Sequence, residues 1–304
     1  MKMTIFQMAV FLMILPGIVF SQQKEEIKLF YLGGQSNMDG YGYVKELPDS
    51  LNKIFDKVWI FHGNTVKDDS VNGGLGKWEK LQPGHGVGFS SDGKTNVHSD
   101  RFGIELSFVA RLQELYPNEK IALIKYSRGG TSIDSLAARH FGSWEPDFRG
   151  KTGINQYDYF LETLQNSMEI DDIDADGRLD KLVPSGILWM QGESDATTEA
   201  IASRYYDNLK RLMDLIRAAL RVDDLPVVIG KISDSWNDED DGKVWDHGEL
   251  VQYAQEKFVR TDENAAIIRM TRYYKYSDPW HYDSKGYIDF GKRFADAVYK
   301  LKQK

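Results

Sequence analysis

Short apolar, β-branched runs alternate along the chain with longer segments of helical period. The runs predict strands over residues 28–32, 57–61, 121–126, 186–190, 227–232 and 266–270. Helical spacing predicts helices over 104–116, 157–168, 200–220, 250–259 and 287–301. In the last of these, Tyr287, Phe290, Phe294, Ala297, Val298 and Leu301 share one face, and Asp283 or Ser284 can cap its start. Strand–helix alternation of this kind indicates an α/β fold with a mostly parallel sheet covered on both sides. Two stretches break the pattern. Residues 62–102 are glycine-rich and irregular, and so long a connection often lines a site. It is no dinucleotide loop, because no helix-opening Gly-x-Gly-x-x-Gly follows a strand. Residues 233–242, polar and acidic, follow a strand directly and read as a solvated loop or a pocket wall.

The amino terminus adds a compartment. Lys2, an apolar run over 8–15 and Ser21 before a polar stretch read as a signal peptide over residues 1–21, which leaves one domain over 22–304. The run is short for a membrane span, which needs about 20 residues; an uncleaved N-terminal anchor is the other reading. The chain has no cysteine, which excludes disulfides, thiolate metal sites and lipid attachment at an N-terminal cysteine. Export to a periplasm or the exterior is therefore expected, with no stable membrane association after cleavage. The net charge of -8 argues against a nucleic-acid groove and against an anionic membrane surface.

Four segments follow strand ends: Gly34-Gln35-Ser36-Asn37-Met38, Ser127-Arg128-Gly129-Gly130-Thr131-Ser132, Gln191-Gly192-Glu193-Ser194-Asp195 and, by a short connection, Asp278-Pro279-Trp280-His281. In a parallel sheet all four emerge at the carboxyl edge, where open α/β sheets place their sites. The chemistry suits acyl transfer. Ser36 is the candidate nucleophile, His281 the candidate base, and Asp278, three residues earlier, the group that fixes the histidine tautomer. The Ser36 N–H, a glycine N–H from Gly129-Gly130 and the Gln191 side-chain amide are candidate oxyanion donors. Taken singly, each residue also has an ordinary structural role; convergence carries the argument. The six histidines show no His-x-His or His-Glu-x-x-His spacing, which argues against a catalytic zinc. No cofactor for catalysis is expected.

The ordered set, with Phe102-Gly103-Ile104-Glu105-Leu106-Ser107-Phe108, resembles the SGNH-hydrolase superfamily, in particular its sialate O-acetylesterase-like and acetylxylan-esterase-like carbohydrate esterases. The resemblance implies a three-layer α/β/α sandwich and metal-free removal of acetyl groups from sugar hydroxyls, with an acetylated oligo- or polysaccharide as partner. It maps nucleophile, base and acid onto Ser36, His281 and Asp278, and the oxyanion donors onto Ser36, Gly129 or Gly130, and Gln191. Asn37 and Glu193 belong to the motifs, Glu193 as support near His281. Arg128 departs from the small residue expected there; it could bind an acidic sugar or pair with Glu193. Two other functions stay open: a serine esterase of different acyl or alcohol preference, and a glycan-binding module without turnover. Trp280 and Trp78 are candidates for stacking on a sugar face.

One motif lies outside this chemistry. Asp172, Asp174, Asp176 and Asp180 occupy positions one, three, five and nine of an EF-hand-type loop with Gly177 at six, but position twelve is Val183. A structural calcium ion or a solvated acidic turn is expected there.

Overall fold

The computed structural model describes residues 24–68 and 70–303. The proposed signal peptide lies outside the described residues. The main sheet has seven strands: β1 (Glu25–Gly34), β2 (Val58–His62), β3 (Glu79–Lys80), β4 (Ile121–Ser127), β5 (Asp180–Met190), β6 (Val227–Gly230) and β7 (Ala265–Ile268). Their order is β7-β6-β5-β1-β4-β2-β3, parallel throughout except that β3 runs antiparallel to β2 at one edge. The helices are α1 (Ser36–Asp39), α2 (Glu105–Leu115), α3 (Gln156–Met168), α4 (Glu199–Ala202), α5 (Tyr205–Ala219), α6 (Gly248–Thr261) and α7 (Ser284–Leu301).

Alternation along β1 assigns the two faces. Leu29 and Tyr31 join a core with α3, α5 and α6, whereas Phe30 and Leu32 join a core with α2 and α7. Both faces are thus buried, which is why the parallel strands read as continuous apolar runs. Asp283 is the α7 cap and accepts from Gly286 N–H at 2.7 Å.

Element ends elsewhere move by at most three residues, and three larger differences from the sequence reading stand out. β5 begins at Asp180, six residues before the predicted start, and shifts register where Leu29 faces Pro184 and Phe30 faces Gly186. Pro184 lacks the N–H that a ladder needs, so its half of the strand is hidden from a propensity reading. The helix predicted over 200–220 divides into α4 and α5 around Ser203 and Arg204. The 62–102 connection is partly structured: it holds β3 and the short pairing of Ser90–Ser91 with Asn96–Val97.

Candidate active site

β1 lies between β4 and β5, so the carboxyl ends of these three strands adjoin. Gly34 closes β1 with a φ of +143°, and a Cβ there would collide with the Met190 carbonyl oxygen of β5. The chain passes this close because Gln35 N–H donates to that carbonyl at 2.8 Å. Ser36 then opens the single turn α1 and is buried. As at any helix start, its N–H has no intrahelical acceptor. Among the described residues the amide groups of Ser36, Gly129 and Gly130 meet no acceptor at all. A Cβ on Gly129 would lie 3.3 Å from the Ser36 Cβ and 3.6 Å from the Tyr41 hydroxyl. Gly129 therefore brings bare backbone against the serine.

His281 reaches the same edge from the connection between β7 and α7. Its Nδ1 is 2.8 Å from Asp278 Oδ2, and its own N–H donates to Asp278 Oδ1 at 2.9 Å. Two contacts to one carboxylate fix both the loop and the ring, and they leave Nε2 as the free lone pair. Burial lowers the His281 pKa below the ordinary imidazole value, against the upward pull of Asp278. The ring is thus neutral, and basic, at neutral pH. Tyr41 stacks flat on it, with centroids 3.5 Å apart and planes 5° from parallel. Burial, then Asp39 and Asp278, push the Tyr41 phenol up to about 12, so it stays protonated there.

Asn37 locks the two halves together. Its Nδ2 donates to Trp280 O at 3.1 Å and to Glu193 Oε1 at 2.9 Å. Its Oδ1 accepts from the Tyr287 hydroxyl at 2.8 Å. One side chain thus joins the neighbour of Ser36 to the neighbour of His281. Glu193 is buried, which raises its pKa; its Oε2 has no partner among the described residues. It supports Asn37 rather than pairing with Arg128, whose Nη1 donates instead to Val66 O at 3.4 Å.

Gln191 corrects one expectation. Its amide has two donor hydrogens, and Nε2 is engaged by Thr131 O at 3.1 Å and Asp195 Oδ2 at 2.5 Å. It therefore offers no free donor toward an oxyanion. It holds up the loop that carries Gly129 and Gly130, while its Oε1 accepts from the Tyr205 hydroxyl at 3.1 Å. Asp195 completes that support by accepting from Ile133 N–H at 3.0 Å and Asp134 N–H at 2.9 Å. Burial pushes the Asp195 carboxyl up to about 7.

The tryptophans separate. Trp280 is 51% exposed beside His281, whereas Trp78 is buried, packs on Phe61 and donates to Ser167 O at 2.9 Å. Trp78 is a core residue and cannot stack on a sugar. The 233–242 loop does form a wall: Ser235, Trp236, Asn237 and Asp278 line a cavity of about 410 Å³. Ser235 Oγ also donates to Pro279 O at 2.8 Å.

The acidic loop lies far along the strands from this edge, before β5. Asp172, Asp174 and Asp176 each bring a carboxylate oxygen within 4.8 Å of the others, and Asp180 groups with Asp174 and Glu25. Protein cations already meet these charges. Lys120 Nζ is 2.5 Å from Asp174 and 2.8 Å from Glu25, and Arg178 pairs with Asp176. A calcium ion there would have to displace Lys120 from Asp174.

Tyr41 and Asp195 are the site residues that sequence reasoning left without a role. Asp195 stood inside a quoted motif; nothing in the sequence marks Tyr41.

A mostly parallel α/β/α sandwich with a serine turn and a histidine–aspartate pair at its carboxyl edge has the SGNH-type fold. A family model described as "Carbohydrate esterase, sialic acid-specific acetylesterase" matches residues 26–300, and the chain belongs to that family. A search of curated proteins gives no match. Among solved structures, a protein from Arabidopsis thaliana is similar at 19% identity and a TM-score of 0.62, covering 90% of this chain and 98% of its own. The carbohydrate acetylesterase XAC1771 from Xanthomonas citri is similar at 16% identity and 0.61, covering 90% of this chain and 56% of its own. NanS is similar at 14% identity and 0.58, covering 92% and 99%. At these identities the likeness is one of fold.

Proposed function

We propose that the protein is an exported O-acetylesterase of carbohydrates that works through an acyl-enzyme on Ser36. The observation that carries this reading is the Asn37 bridge, which holds the serine turn against the Asp278–His281 pair. His281 Nε2 takes the Ser36 proton as the hydroxyl attacks the acetyl carbonyl, and returns it to the departing sugar oxygen. Asp278 keeps the proton on Nδ1 and stabilises the imidazolium. The N–H groups of Ser36 and of Gly129 or Gly130 receive the oxyanion. Water then attacks the acetyl-serine with His281 again as base. Carbohydrate acetylesterase family membership supports the substrate class. Among acetylated sugars, the half-buried Arg128 beside the glycine pair favours an acidic one. Export rests on the amino-terminal sequence.

The test is acetate release by the mature protein from acetylated xylan, acetylated pectin-type glycans and O-acetylated sialic acids, with Ser36→Ala as blank. Release from the acidic substrates, absent in the blank, is expected. Release only from xylan would overturn the role of Arg128, and release that persists in the blank would overturn the serine mechanism.

A further inference from the structure

The 62–102 connection carries a second cluster of ionisable groups, distinct from the Ser36 and His281 set. Glu79 on β3, His85 in the following turn and His98 beyond the Asn96–Val97 pairing each bring one ligand atom within 4.8 Å of the others. Glu79 Oε1 is 2.9 Å from His98 Nε2 and 3.4 Å from His85 Nε2. Ligands held tetrahedrally at zinc distances sit about 3.3 Å from one another. The two separations bracket that value.

His85 supplies an independent observation. It is fully buried, and neither ring nitrogen makes a hydrogen bond among the described residues. A buried polar group left unanswered is costly, and such a group calls for a ligand. Side-chain amides orient the carboxylate: Asn96 Nδ2 donates to Glu79 Oε1 at 2.6 Å and Gln82 Nε2 to Oε2 at 3.3 Å.

We propose that Glu79, His85 and His98 bind one divalent transition-metal ion of the zinc type, which clamps the long connection beneath the Ser36 turn. Two imidazoles and one carboxylate select such an ion over calcium or magnesium. His98 is partly exposed, so the site opens to solvent on its side. The clamp reaches the serine turn through backbone. His85 O accepts from Lys125 Nζ at 2.6 Å, and the same ammonium donates to Asp39 O at 2.8 Å. Val87 N–H donates to Gly40 O at 2.9 Å. The metal orders this floor and takes no part in ester chemistry.

The experiment is calorimetric titration of chelator-treated mature protein with zinc, with Co²⁺ as a spectroscopic probe. One equivalent of zinc is expected to bind, Co²⁺ to give the visible bands of a tetrahedral site, and the melting temperature to rise by about 5 °C at a hundredfold excess over Kd. His98→Gln and Glu79→Gln, both at partly exposed positions, are expected to weaken binding by about 100-fold or more while the metal-free proteins melt near the wild type. Absence of zinc binding to the wild type would overturn the site. Binding of unchanged affinity in a folded His98→Gln or Glu79→Gln would place the ion elsewhere and overturn it equally.

Discussion

The carboxyl edge of the sheet and the acidic loop before β5 both gather carboxylates, yet they satisfy them differently. In the loop most of the charges are met from within, although Asp180 Oδ1 has no partner among the described residues. Lys120 serves Asp174 and Glu25, Arg178 serves Asp176, and the amides of Asp176 and Gly177 bond Asp172 at 3.2 and 2.9 Å. At the carboxyl edge groups are held in place but left unspent. Ser36, Gly129 and Gly130 keep free amide hydrogens, and Glu193 keeps an unpartnered oxygen, among the described residues. Most buried polar groups in proteins are paired, so unspent ones that other bonds hold rigidly mark where a ligand arrives. Density of charge alone does not make a site.

Substitutions at the two regions should therefore differ in kind. The largest effect is expected at Asp278. Asp278→Asn should lower kcat about 10³–10⁴-fold with the melting temperature little changed. It should also move the pH profile. Burial lowers the His281 pKa below the ordinary imidazole value while Asp278 pulls it upward, so the acid limb of kcat/KM is expected below the ordinary histidine value. Without that carboxylate the neutral base survives to lower pH, so the limb should shift further down; a shift upward would contradict the assigned pair.

Asn37→Ala comes next. It removes the bonds to Glu193, Trp280 O and Tyr287 at once. A kcat loss of about 100-fold with KM nearly unchanged is expected from misplaced groups, along with about 2–3 kcal/mol of stability read from urea unfolding. Full activity in this variant would break the idea that the bridge positions the serine.

Trp280→Ala should act on binding alone. KM for a polymeric glycan should rise about 5–10-fold, while a small activated acetate ester is turned over as before. Equal effects on both substrates would assign Trp280 to packing around His281.

The smallest effect belongs to the loop. Asp176→Asn should leave esterase activity and its pH profile unchanged, because Arg178 and Lys120 are its partners and none reaches the carboxyl edge. Calcium calorimetry sharpens the point: micromolar binding would show that an ion displaces Lys120 and that the loop is not self-neutralised.

Much of this was legible in the sequence. Strand–helix alternation and four segments at strand ends suffice to place Ser36, Gly129, Gln191, Asp278 and His281 at one edge, since parallel strands share their carboxyl ends. What the spacing could not carry was the use of each donor. Gln191 stands where an oxyanion donor was expected, but its hydrogens are taken by Thr131 and Asp195, residues 60 positions away and four positions on. Trp78 looked free in a glycine-rich stretch, yet α3 covers it. The break between α4 and α5 is tertiary in origin: it sends Arg204 to Asp134 at 2.7 Å and the Tyr205 hydroxyl to Gln191 O at 2.7 Å. Glu79, His85 and His98 match no ligand spacing, because an irregular loop brings them together.

The most direct test of the central claim is covalent. Mature protein treated with a serine-directed phosphonate ester should lose activity with one adduct per chain, mapped by peptide mass spectrometry to Ser36, and His281→Ala should label far more slowly. An adduct on another serine, or an active enzyme that carries the adduct on Ser36, would contradict the account.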